Sequence, residues 1–228
     1  MTSDQTRLVT VSASYGAGGS VVAPALAKRL GVPFLQRATT STGGRSSEPE
    51  PCFERLEPGE ARLTPAHRLL SSLTHAMPTG PTQSPPPSRH QDESLRRHCE
   101  EDIRRLADAD AGVILGRGAA IVLGKDRGFH VRLDGPPGRR AVQGAEIEEI
   151  GEDQARRHLE ASDRARTAYV RRLYRCDPAD PRHYHLVIDS TALPLETVVE
   201  IILQALSSLP VPRLAPQQGA AGTGNFLA

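Results

Sequence analysis

The chain has 228 residues, 38% of them hydrophobic and 4% aromatic with no Trp, which suits one medium-sized core, so a single core and not a large multidomain enzyme is expected. Twenty-eight basic residues against 27 acidic ones leave a net charge of +1, so no global field recruits nucleic acid or an anionic membrane, and any anion site must be local. Cys52, Cys99 and Cys176 show no C-x-x-C spacing, which argues against a disulfide framework and a zinc site; with no apolar leader and no run near the ~20 residues of a membrane span, a soluble cytoplasmic protein is expected.

Residues 8–14 (LVTVSAS) are short and β-branched and read as a strand. A glycine run follows, then Val22, Ala25, Leu26 and Leu30 at helical spacing, ended by Gly31. Pro24 is expected in the first turn of this helix, where its missing amide breaks no hydrogen bond. From 41 to 92 the character changes: nine of the 19 prolines fall here among many Ser, Thr and Glu, so a disordered insertion with one short helix near 66–76 is expected. Residues 93–109 read as an amphipathic helix with Leu95, Cys99, Ile103 and Leu106 on one side. Further strands are predicted at 112–115, 129–133 and 185–188, a charged helix at 151–174, and a closing amphipathic helix at 195–206. The Pro-, Gly- and Ala-rich tail is expected to be disordered.

Short buried strands alternating with helices predict an α/β fold, a three-layer sandwich around a mostly parallel sheet, because parallel strands need helical crossovers. Ligands of such sheets sit beyond the carboxyl ends of the strands. The expected organisation is a core made of 1–40 and 93–209, interrupted by the 41–92 insertion and followed by a tail at 210–228.

Small residues between a strand and a helix N-terminus, here Gly16, Ala17, Gly18, Gly19 and Ser20, let successive backbone amides converge on an anion that the helix dipole also favours. Against the pattern G-x-x-x-x-G-K-[ST], Ala13 replaces the first Gly, Gly18 and Ser20 are kept, and Gly19 stands at the Lys position. The cationic arm that stabilises transferring phosphate is therefore absent, unless an Arg replaces it. Taken alone, the run also fits a plain tight βα turn. The eight histidines show no metal-ligand spacing, and Cys176 beside Arg175 has no base partner.

The string at 9–20 (VTVSASYGAGGS), continued by Ala23, Leu26, Ala27, Leu30, Gly31, Pro33 and Phe34, resembles the opening of the cytidylate kinase-like branch of the P-loop nucleoside monophosphate kinases. That branch reads S-x-x-Y-G-x-G-G and likewise lacks the lysine. Gly116, Arg117 and Gly118 resemble its G-R-[DG] turn, and Leu133 and Asp134 with Arg139 and Arg140 resemble the strand and helix that follow. Asp163, Arg164, Ala165, Arg166 and Tyr169 resemble its arginine-rich lid, and Asp189, Ser190 and Thr191 the end of its last strand. The resemblance implies a P-loop kinase-like fold with a lid over about 139–182, using ATP and Mg²⁺ to phosphorylate a nucleoside monophosphate, CMP or dCMP. It implies that Gly16, Ala17, Gly18, Gly19 and Ser20 hold ATP phosphates, with Ser20 also on Mg²⁺. It further implies that Arg117 and Asp163 bind substrate and that Arg164 and Arg166 close over the transferring group.

Planar guanidinium groups suit such transfer, which asks chiefly for positioning and charge neutralisation, although a solvated helical face also accounts for arginines in a chain with 26 Arg and two Lys. A second reading stays open: a nucleotide-binding or interaction module without catalysis, motivated by Gly19 and by an insertion with no legible base pocket.

Overall fold

The structure, a computed structural model, describes residues 7–37, 53–56, 89–108 and 111–208. The short helix expected near 66–76 and the tail after 208 lie outside the described residues, as does most of the expected insertion. The strands are β1 (Arg7–Ala13), β2 (Phe34–Arg37), β3 (Phe53–Leu56), β4 (Ala111–Leu115), β5 (Phe129–Asp134) and β6 (Leu186–Asp189). The helices are α1 (Gly19–Leu30), α2 (Arg89–Asp108), α3 (Ala119–Leu123), α4 (Pro137–Glu148), α5 (Glu152–Tyr174) and α6 (Leu195–Ser207).

The six strands form one sheet in the order β3-β2-β4-β1-β5-β6, five of them parallel and β3 antiparallel at the edge. Two of these strands depart from the sequence expectation: β2 was not anticipated, and β3 lies inside the stretch expected to be disordered, where pairing with β2 gives it its backbone partners. The apolar run at 119–123 forms a short helix.

β1 and β5 are buried on both faces, as central strands of a parallel sheet covered by helices are. Val9, Val11, Ala13, Phe129, Val131 and Leu133 pack with Val22 and Leu26 of α1 and Val198 and Ile202 of α6. Leu8 and Ile114 join Cys99 and Ile103 of α2 and Leu123 of α3 in a second cluster. Burying side chains of this size contributes about 1.5–3 kcal/mol each. Helix α1 starts at Gly19, so Pro24 lies in its second turn and not the first. There it removes the amide that the Ser20 carbonyl would otherwise accept, and it is tolerated buried among Val22, Ala23 and Leu26.

Candidate functional site

Parallel register brings four connections to one edge of the sheet. Ala13 lies beside Leu133, Val11 beside Leu115, and Asp134 beside Asp189. The segments leaving β1, β4, β5 and β6 therefore meet at the carboxyl ends of the strands, with the glycine loop central because β1 has β4 on one side and β5 on the other.

The loop needs its glycines for different reasons. Gly16 and Gly18 have φ of +71° and +76°, in the left-handed region that glycine enters without steric cost. A Cβ on Gly16 would also lie 1.9 Å from the carbonyl oxygen of Arg140, and one on Gly18 2.5 Å from a Leu195 methyl. Gly19 is different: its added Cβ would meet the Cβ of Ala13 at 2.5 Å, so the position where related loops carry lysine has no room for a side chain. Ser190 fastens the loop from the β6 side, its Oγ donating to the Ala17 carbonyl at 2.8 Å, and Gln143 of α4 donates to the Gly16 carbonyl at 2.8 Å. No side chain caps α1 and no acid stands in its first turn, which leaves the partial positive charge of the helix start to an outside anion. Ser20, half-buried, is the second residue of that helix.

Three guanidinium groups and two carboxylates gather beside the loop. Arg132, buried on β5, donates to Ser14 Oγ at 3.1 Å, to Asp134 Oδ2 at 2.7 Å and to the Pro178 carbonyl at 3.0 Å. Arg140, buried at the start of α4, donates to the carbonyls of Gly135 and Tyr15 at 2.8 and 3.0 Å and to Asp163 Oδ2 at 2.7 Å. The other oxygen of Asp163 accepts the Tyr15 amide at 3.0 Å. Arg166, one helical turn beyond Asp163 on α5, completes the group; its Nη1 is buried without a hydrogen-bond partner. Burial opposes the charged form of Arg166 and lowers its pKa; Asp163 and Asp134 favour the charge, whereas Arg132 and Arg140 repel it. Burial also works against an ionised Asp134, but the adjacent Arg132 and the Gly135 amide outweigh it and hold the carboxyl below its ordinary range. The cluster carries one positive charge in excess, at the edge where the loop and the α1 N-terminus already favour an anion.

Helix α5 spans this edge like a strap. Asp163 touches the loop, whereas Tyr169 and Tyr174, up to about 16 Å further along the axis, reach the turn after β4. The Arg117 guanidinium lies over the Tyr169 ring, 5.7 Å from its centroid, and Tyr174 Oη donates to the Arg117 carbonyl at 3.4 Å. Burial pushes the Tyr169 phenol up to about 12, so it is protonated at neutral pH. Arg117 itself has φ of +60°, an uncommon conformation for a residue with a side chain.

Of the residues singled out from sequence, Gly16, Ala17, Gly18, Gly19 and Ser20 form the loop and its helix start, and Asp163 and Arg166 come to it. Arg117 shares the edge but faces Tyr169, and Arg164 is exposed on α5. Arg132 was not singled out, Tyr15 entered only as the Tyr of the S-x-x-Y-G-x-G-G string, and Arg140 only as part of a similar helix. A signal was present in FHVRLD, where His130, Arg132 and Asp134 alternate with apolar residues of a strand buried on both faces. Among the described residues no group of three His, Cys, Asp or Glu could hold a metal ion, and no helix is long and apolar enough to cross a membrane.

The sequence model of the Cytidylate kinase-like family matches residues 8–192. No curated protein matches. Among solved structures, an uncharacterized protein from Eubacterium ventriosum is similar at a TM-score of 0.60 and 17% identity, over 89% of this chain and 99% of that one, a likeness of fold. A gluconokinase from Sinorhizobium meliloti aligns at a TM-score of 0.47 and 16% identity over 89% of this chain and 92% of its own. A shikimate kinase from Acinetobacter baumannii aligns at 0.46 and 16% identity over 90% and 95%.

Proposed function

Because the chain belongs to the cytidylate kinase-like family, we propose that it holds the phosphates of ATP on the 14–20 loop and passes the terminal phosphoryl group to a nucleoside monophosphate, CMP or dCMP in the first instance. The observation that carries this reading is the convergence of Arg132, Arg140 and Arg166, with one positive charge in excess, on a glycine loop at an uncapped helix start. Phosphoryl transfer asks for that arrangement: little covalent chemistry, much positioning, and charge neutralisation in a site shielded from water.

In this reading the amides of the loop cradle the donor phosphates, and Arg166 faces the group in transit. Arg164, exposed one residue from Asp163, joins it when the strap closes. Arg117, across the edge beside Tyr169, takes the acceptor phosphate. A groove lined by Gly138, Arg139, Gln143 and Thr191 adjoins the loop at Gly16 and offers room for the nucleoside end of the donor. The donor set fits Mg²⁺, which takes most of its ligands from phosphate and water: the Ser20 hydroxyl stands at the helix start, and no all-protein cage is needed. Bound there, Mg²⁺ would neutralise phosphate charge.

An ADP-release assay across a panel of nucleoside monophosphates, run beside a thermal-shift titration with ATP, tests this. ADP release is expected with CMP or dCMP. Arg117→Ala is expected to lose about 10²-fold or more in turnover. Arg29→Ala, an exposed residue in the last turn of α1, should leave turnover unchanged. Gly19 favours a second reading, a nucleotide-binding module without catalysis; stabilisation by ATP with no turnover on any acceptor would establish it in place of the first.

A further inference from the structure

Asp163 spends both carboxylate oxygens at the loop edge, one accepting the Tyr15 amide of the loop at 3.0 Å and one accepting Arg140 Nη1 of α4 at 2.7 Å. A backbone amide of an anion-binding loop and a guanidinium beside it are the two kinds of donor that a phosphoryl oxygen takes. The Asp163 side chain is 29% exposed and that of Arg140 only 7%, so an ion arriving from solvent meets the carboxylate before the cation. Arg140 is fixed where it stands: the carbonyls of Gly135 and Tyr15 orient its guanidinium, and its own carbonyl abuts Gly16. Gly19 cannot supply a cation, because no side chain fits there.

We propose that Arg140 is the cation of this loop, taking the part of the absent lysine, and that Asp163 is its exchangeable counter-ion, holding the phosphoryl position until a polyphosphate displaces it. This rests on the reading that the loop binds polyphosphate, and it gives Asp163 a part at the donor phosphates in place of the substrate contact the family resemblance implies. The surrounding charges favour the exchange. Asp134 stays tied to Arg132 and to the Gly135 amide, so an entering polyphosphate that releases Asp163 meets three guanidinium groups with a single acid among them. The exchange also gives the empty protein a neutralised loop, which keeps Arg140 from lying buried beside Arg132 and Arg166 with only a shared partner.

Titrating the full chain with sodium tripolyphosphate, with no acceptor and no turnover, tests the exchange. Asp163→Asn keeps an oxygen for the Tyr15 amide and removes the charge, and is expected to bind about tenfold tighter than the unaltered chain or better. Arg140→Met is expected to bind about tenfold weaker, with Arg140→Lys recovering part of the loss, and the gain from Asp163→Asn should vanish in the double variant with Arg140→Met. A purely structural Asp163 would lower thermal stability without tightening binding. Affinity in Asp163→Asn equal to or below that of the unaltered chain overturns the proposal and leaves the loop reading standing; binding by none of the chains overturns both. The unaltered chain gives a check free of folding defects: the Tyr15 amide resonance is expected to move on saturation as it trades carboxylate for phosphate, and an amide that stays in place at saturation overturns the exchange.

Discussion

The pair formed by Ala13 and Gly19 shows how one methyl group decides what a loop can carry. Related loops place glycine at the first position and lysine at the seventh; here the Cβ belongs to the first, and a Cβ on Gly19 would approach it to 2.5 Å. The contact is with a β1 residue packed against α1, so neither side can yield cheaply. Gly19→Lys is therefore expected to destabilise the fold by about 1–3 kcal/mol, the cost of overpacking, read as a fall in the denaturant midpoint. Adding Ala13→Gly should relieve the collision, giving a coupling of about 1 kcal/mol or more between two changes that are each destabilising alone. Additive effects would mean that the two positions do not compete for the same space, and that the missing lysine has another cause.

Helix α5 was read from its sequence to within a residue, but not the path it takes. Its burial pattern, Ala155, Leu159, Ser162, Val170 and Leu173, is broken in the middle by Asp163 and Arg166, because that stretch faces the charged loop edge and not a hydrophobic core. What ties down its far end is aromatic: a Cβ on Gly118 would lie 2.8 Å from the Tyr174 ring, so ring and turn are in close contact. Tyr174→Ala is expected to raise amide hydrogen exchange across 163–174 while β1, β4 and β5 keep their protection, since the helix end loses its anchor and the sheet does not. A uniform rise over the whole chain would show that α5 is an integral part of the core and not a strap over it. The same contrast explains what else was legible. β1, β4, β5 and β6 were found because each is a compact apolar run between helices. β2 is only four residues after Pro33, and the side-chain pattern of so short an element cannot be told from a loop. β3 exists through its pairing with β2, information that lies in the partner and not in FERL. Arg132 and Arg140 escaped for the related reason that their importance comes from Ser14, Tyr15 and Asp163, residues far from them in sequence.

Among the described residues, one group whose titration bears on the whole fold lies far from the loop edge. His130 is fully buried near the start of β5, four residues and about 13 Å along the strand from Asp134. Its Nε2 donates to the Gly124 carbonyl at 2.6 Å, since a carbonyl can only accept, and its Nδ1 therefore accepts from the Thr10 hydroxyl at 2.8 Å. These bonds join β1, β5 and the segment after α3, so the neutral ring is part of the sheet itself. Burial lowers its pKa to about 4, against the weaker raising effect of the Gly124 carbonyl and with His185 and Lys125 acting in the same direction as burial. The unfolded chain, titrating near 6.5, binds the proton more readily than the native one between these values, so stability is complete above about pH 6.5 and falls as pH drops toward 4. The loss is on the order of 3 kcal/mol for this group, and His185, whose pKa burial also lowers, adds to it in the same sense. Urea midpoints measured from pH 7 to pH 4.5 should therefore decline. His130→Asn should start lower at pH 7, having lost part of the bridge between Thr10 and Gly124, yet decline less steeply. Parallel slopes in the two proteins would place the acid sensitivity elsewhere. Because the ring stands apart from the arginine cluster, tripolyphosphate should raise both curves without changing the difference in their slopes, which separates the pH response of the fold from that of the loop edge.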